Sequence, residues 1–107
     1  MLRRGRPASS QIRQNIVELL AVLGTAHGYQ INKIYQEIFP SCTREIIYYH
    51  LKKGVALGEF VIEEVKLEKG EFSWGSVAEK VYYKLGPSAK PKGDERVKRY
   101  FEQLRRA

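Results

Sequence analysis

Apolar residues recur at helical spacing through the first half of the chain, and the pattern changes beyond the midpoint. Ile12, Ile16, Leu19, Leu20 and Leu23 fall at i, i+4, i+7, i+8 and i+11. They form one face of a helix that begins near Ser9 or Ser10, either able to cap it, and ends at Gly24. Ile31, Ile34, Tyr35 and Ile38 set out a second helix after His27-Gly28. Pro40 stops it, because proline disfavours helix at the residue before it. A third helix runs from about Thr43 to Leu57, where Gly58 can adopt the left-handed C-terminal turn. Glu59–Glu68 and Lys80–Leu85 are rich in Val, Ile, Phe and Tyr and predict two strands. Between them Lys69–Glu79, with Gly70 and Gly75, predicts a long hairpin tip. Pro87, Pro91 and Gly93 mark a linker, and Asp94 is placed to cap a last helix.

The order helix–helix–helix–hairpin predicts an α+β, mostly α fold: a winged helix-turn-helix with an additional C-terminal helix. Its divisions are a basic N-terminal arm over 1–8, the winged helix-turn-helix over 9–86, a linker over 87–93 and the last helix over 94–107. The residues also carry a family resemblance. His27-Gly28-Tyr29-Gln30-Ile31 resembles the entry to helix two in PadR-like transcriptional regulators. Ile47-Tyr48-Tyr49-His50-Leu51-Lys52-Lys53, followed by Gly58-Glu59-Phe60-Val61, resembles the third helix and first wing strand of that and related prokaryotic and archaeal families. Val81-Tyr82-Tyr83-Lys84-Leu85 is similar to their second wing strand. The resemblance covers about residues 10–86 and implies a DNA-binding regulator of transcription. One position departs from it. Gly54 stands where such helices usually carry a core leucine, so another side chain fills that space, or the helix bends or ends early.

Length and composition narrow the classes. The 107 residues suit one domain, and the 43% hydrophobic and 29% charged content suits a globular chain. The longest apolar run, Ile16 to Gly24, is broken by Glu18, and the N-terminus lacks the apolar segment of a signal peptide. The one cysteine, Cys42, excludes an internal disulfide and fits a reducing compartment, so a cytoplasmic, nucleoid-associated protein is expected. A net charge of +7 points to a polyanionic partner. The charge is uneven: residues 1–58 carry +5, residues 59–86 carry −2 and residues 87–107 carry +4. Four arginines precede the first acid, Glu18.

A helical wheel for the third helix places Arg44, Glu45, Tyr48, Tyr49 and Lys52 on one arc. Ile46, Ile47, His50, Leu51 and Gly54 occupy the other. A recognition helix needs this division, one face on the core and one in the major groove. Arginine pairs bidentately with guanine, tyrosine and lysine suit phosphates, and glutamate accepts from cytosine. An ordinary amphipathic surface helix shows the same split. In the arm Arg3-Arg4-Gly5-Arg6-Pro7, the run Gly5-Arg6-Pro7 looks like the core of an AT-hook for a narrow minor groove, with a basic flank, Arg3 and Arg4, only on its N-terminal side. Contact with phosphates alone is the other reading. At the wing, Lys66, Lys69 and Lys80 lie near Phe72 and Trp74; Lys69 is a candidate phosphate contact, although Glu68, Glu71 and Glu79 blunt the attraction. Trp74 is expected to pack on the hairpin or on a partner subunit.

The last helix sets Val97, Tyr100, Phe101 and Leu104 at i, i+3, i+4 and i+7. So short a helix must bury that stripe, either on the first helix or across a two-fold axis. Because the linker detaches it from the core, the expectation is a homodimer with recognition helices about one DNA turn, ~34 Å, apart. Chemistry is sparse. His27, His50 and Cys42 match no zinc spacing, and no phosphate-binding glycine loop or nucleophile motif occurs. No enzyme activity, cofactor, metal or small-molecule effector is expected. Double-stranded DNA is the expected partner. The alternatives are a winged-helix protein-interaction module in a transcription-related assembly and a nonspecific chromatin-like DNA-binding protein.

Overall fold

The computed structural model describes residues 10–39, 42–72 and 75–106, with the backbone alone over 66–72 and 75–79. Seven elements follow in order: α1 (Gln11–Leu23), β1 (Thr25–His27), α2 (Gly28–Ile38), α3 (Arg44–Leu57), β2 (Phe60–Phe72), β3 (Gly75–Leu85) and α4 (Glu95–Arg106). This is a mostly helical α+β chain with winged helix-turn-helix topology and an extra C-terminal helix. Each helix starts on a side-chain cap. Ser10 Oγ accepts from Arg13 N, His27 Nδ1 from Gln30 N, Thr43 Oγ1 from Ile46 N and Asp94 Oδ1 from Val97 N. Ile16, Leu19 and Leu20 of α1 form the centre of the core, joined by Ile31, Tyr35, Ile47, Leu51 and Phe60.

Gly54 resolves the question raised by its sequence position. The ring of Phe60 fills the space, so that a Cβ on Gly54 would lie 2.2 Å from Phe60 Cδ2. The helix therefore runs on to Leu57 without a break. Gly58 then reverses the chain at φ 81°, ψ 9°, with Gly58 N bonded to Val55 O and Glu59 N to Gly54 O. This pair of bonds is a Schellman turn, and it delivers Phe60 back onto the helix it follows.

The sheet has the order β1-β3-β2, all antiparallel. Two features differ from the sequence expectation. The three-residue β1 pairs Ala26 with Tyr83, a strand too short to give a periodic signal. The hairpin also has no long tip, since pairing continues from Phe60↔Leu85 to Phe72↔Gly75. Gly70 lies within β2, beside the irregularity between Lys69 and Phe72, so the backbone ladder absorbs it as a bulge. Thirteen residues at about 3.3 Å each give a wing of roughly 43 Å, against a longest molecular extent of 52 Å.

The linker and α4 correct a further expectation. Glu18, buried on α1, accepts from Lys92 N and Gly93 N at 2.8 and 2.9 Å, and Gln14 Nε2 donates to Lys90 O. The segment is thus fastened to α1 rather than detached. Val97 is 1% exposed within the chain's own core, Phe101 packs against that core, and Tyr100 donates to Glu37. Val97 and Phe101 thus pack within the chain, one of the two arrangements the sequence allows. Of the stripe, only Leu104 is largely exposed, at 53%.

Gly54→Ala removes a helix-propensity cost of about 1 kcal/mol but drives a methyl into Phe60, so net destabilisation of ~1–3 kcal/mol is expected by urea denaturation. The double variant Gly54→Ala/Phe60→Leu should recover part of it. Asp94→Ala, which loses the α4 cap, should cost about 1 kcal/mol in the same measurement.

Candidate nucleic-acid interface

The amphipathic division of α3 holds in three dimensions. Ile47 and Leu51 are buried, whereas Arg44, Glu45, Tyr48, Tyr49, Lys52 and Lys53 are exposed. Ile46 is the exception to the wheel: it was placed on the apolar arc and is 39% exposed. The start of α3 is held by Gln36, whose side-chain amide donates to Cys42 O and accepts from Cys42 N. Arg44, Lys52 and Lys53 make no ion pair with a described carboxylate. Their charge is free to act on an anion.

The tyrosines give this face its shape. Tyr48 is 41% exposed and Tyr49 57%. The Tyr48 ring lies on the first turn of α2, where a Cβ on Gly28 would approach its Cε1 to 2.9 Å. Together they border an open cleft of about 270 Å³, lined also by His27, Tyr29, Lys80, Val81 and Tyr83. Burial, with the neighbouring Tyr48, raises the pKa of the Tyr83 hydroxyl above its ordinary value. Tyr29, at 62%, is the most exposed aromatic of the group. The cleft thus joins the N-terminus of α2, the middle of α3 and the base of the wing on one surface.

The sequence reading had not included Tyr29 or His27 among the site residues. Tyr29 lies two residues after the His27 cap, and its place opposite Tyr48 depends on how α2 packs against α3. His27 stacks on Tyr29 at 6.3 Å between ring centroids and meets Tyr82 edge-on at 5.2 Å. Lys80, noted in the sequence only as a wing-tip cation, lies midway along β3 opposite Lys66, because the paired strands continue beyond it.

Arg13 moves the other way. It counted among the N-terminal cations but is 2% exposed, with Nε donating to Glu59 Oε1 at 2.9 Å. Its Nη1 lies 3.4 Å from His50 Nδ1, and Nη2 is buried without a hydrogen-bond partner. This guanidinium ties α1 to α3 and to the residue before the wing. Burial first, and Arg13 second, lower the pKa of His50.

Arg3, Arg4 and Arg6 lie outside the described residues, as do Trp74 and the side chain of Lys69. Among the described residues no group of three or more His, Cys, Asp or Glu converges to hold a metal ion. No helix among them is long and apolar enough to cross a membrane. No protein-family model matches the chain, and no curated protein matches it.

The His50 arrangement has a pH consequence. The unfolded chain takes up a proton near pH 6.5, whereas the folded chain does so only at lower pH. The stability contributed by neutral His50 is therefore present above about pH 6.5 and lost as the pH falls below it. His50→Gln, which keeps an acceptor for Arg13, should reduce the fall in Tm between about pH 7 and 5 relative to the parent protein.

Proposed function

We propose that this chain is a DNA-binding transcriptional regulator that places α3 in the major groove of a duplex. The observation that carries the reading is the face of α3: Arg44, Tyr48, Tyr49 and Lys52 stand exposed over a firmly anchored apolar side. The major groove, about 12 Å wide, admits such a helix. Arg44 has the fork geometry for a guanine edge, Glu45 can accept from cytosine, and Lys52 suits a phosphate. Tyr48 and Tyr49 supply hydroxyl donors and flat apolar area at the groove wall. Arg3, Arg4 and Arg6 of the arm would lie in the adjacent minor groove, and Lys69 of the wing would meet the backbone. The PadR-like resemblance of residues 10–86 supports the same role. A two-fold dimer on a palindromic site would have to form without Val97 and Phe101, with Leu104 as its apolar contact.

One observation favours a second reading. Tyr29 and Tyr48 border one cleft and Tyr49 is exposed beside Tyr48 in α3, aromatic surface of the kind that anchors protein partners, which would make the chain an interaction module in a transcription-related assembly. Salt separates the two readings. If about five phosphates are neutralised, log affinity for a duplex falls against log salt with a slope near −4.5. An aromatic protein contact has no such dependence. A chromatin-like coat protein shares the slope but has no preferred site in a selection experiment.

In fluorescence anisotropy with a duplex, Lys52→Ala should reduce that slope by about one and weaken all sequences alike. Arg44→Ala should cost ~1–3 kcal/mol on a selected site and relax specificity at one position. Absence of duplex binding at low salt would overturn the DNA reading and leave the aromatic protein contact.

A further inference from the structure

Resting on the DNA-binding reading, we infer that α4 and the segment leading into it form a second phosphate-binding face, through which one chain holds two duplexes. Residues 87–107 carry a net charge of +4. Lys90, Lys92, Arg99, Arg105 and Arg106 are all exposed and make no ion pair with a described carboxylate. Two acids share the outward side of α4. Glu95 lies 3.8 Å from Lys98, and Glu102 pairs with neither Arg99 nor Arg105 although both are three residues away. Arginines at a helix C-terminus complement the helix dipole, which accounts for Arg105 and Arg106 but not for Lys90, Lys92 or Arg99.

The face is rigidly presented. Glu18 fixes the backbone of Lys92 and Gly93, Asp94 caps α4, and Val97 and Phe101 dock it on the core. Ordering these cations on a ligand therefore requires little backbone rearrangement. Arg99 and Arg106 are seven residues apart, about 10 Å along the helix, or roughly three base-pair steps.

The chemistry selects among partners. Val97 and Phe101 are turned inward and Leu104 is the one largely exposed apolar residue of the stripe, too little to insert into a lipid surface. Tyr100 is engaged by Glu37, and Phe101 lies against the core, which leaves no exposed aromatic anchor for a protein partner. What faces outward is mainly guanidinium and ammonium, with Glu95 and Glu102 in the minority, and that excess is matched to phosphate.

The face is also separate from the first. α4 meets the C-terminal end of α2, where Tyr100 bonds Glu37 and the Arg96 guanidinium lies 4.6 Å from the Phe39 ring centroid. Tyr48 and the cleft are at the other end, against Gly28 and Tyr29. The eleven residues of α2 put about 16 Å between those ends. Arg44 stands nearer the α4 end, two residues after the Cys42 that Gln36 holds, so the second duplex is taken by the side of α4 turned away from α2.

The test uses one bead-bound duplex and one free labelled duplex, with the full chain at low salt, beside anisotropy on a single duplex. The parent protein should carry labelled DNA onto the beads. Arg99→Ala/Arg105→Ala/Arg106→Ala should reduce capture about tenfold or more while single-duplex affinity changes by less than about threefold. Circular dichroism checks that this surface variant folds. Single-duplex binding without capture would overturn the second face and leave the regulator reading standing. Capture that survives the triple substitution would also overturn it and assign bridging to an assembly of α3 faces. A parallel loss of single-duplex affinity would overturn it by placing α4 within one DNA footprint. No binding in either assay would overturn the DNA reading itself.

Discussion

Phe60 seated on Gly54 fixes the relation between α3 and the wing. A helix and a hairpin joined by two residues could meet at many angles. Here the missing Cβ lets an aromatic ring lie directly on the helix backbone, and the interior has no room for another arrangement. The Schellman turn at Gly58 and the Gly86 N bond to Glu59 O close the joint from both sides. Much of the candidate interface stands on one side of this joint or the other: Arg44, Tyr48 and Lys52 on α3, Lys80 and Tyr83 on β3. Their mutual geometry depends on it.

The buried polar groups of α1 complete the frame, each directed at a different element. Arg13 reaches α3 and the start of the wing, Asn15 donates to the Tyr35 hydroxyl on α2, and Glu18 holds the linker before α4. Burying a charge is costly unless it is paired, so each also excludes packings in which its partner is absent. Arg13 is the most exacting, because one of its nitrogens has no partner even in the native arrangement. An apolar α1 of the same shape would leave the position of these elements to side-chain fit alone.

The helices were legible because their signals are local. Ser10, Thr43 and Asp94 cap where a short oxygen side chain precedes an apolar period, and Gly24 and Gly58 end helices by backbone freedom. The chemistry-bearing arc of α3 was legible for the same reason, as helical spacing alone puts Arg44, Tyr48 and Lys52 together. What escaped depends on long-range contacts. β1 exists because β3 offers an edge to Ala26, and the wing stays paired past Gly70 because backbone bonds ignore side-chain identity. The burial of Arg13 depends on Glu59, forty-six residues away. The cis docking of α4 depends on a carboxylate seventy-four residues before Lys92. Prolines and glycines in residues 87–93 suggested freedom, but a segment with few internal bonds is also one that a buried acceptor can hold.

These long-range contacts change what the net charge means. Arg13 leaves the surface, and Lys84 and Glu63 pair at 3.0 Å on the wing. Among the described residues, the exposed cations without an ion pair then lie on α3, on residues 90–106 and at Lys33 of α2. On α3 they alternate with tyrosines and one acid, a mixture that discriminates between surfaces because its flat and polar groups must find matching partners. On residues 90–106 they are accompanied by no exposed aromatic, and attraction there follows phosphate density rather than base identity. On the proposed reading, the fold thus carries one set of contacts able to specify and another able only to attract. Tyr48 and the cleft stand at the N-terminal end of α2 and α4 docks at its C-terminal end, while the buried side chains of α1 hold both in place.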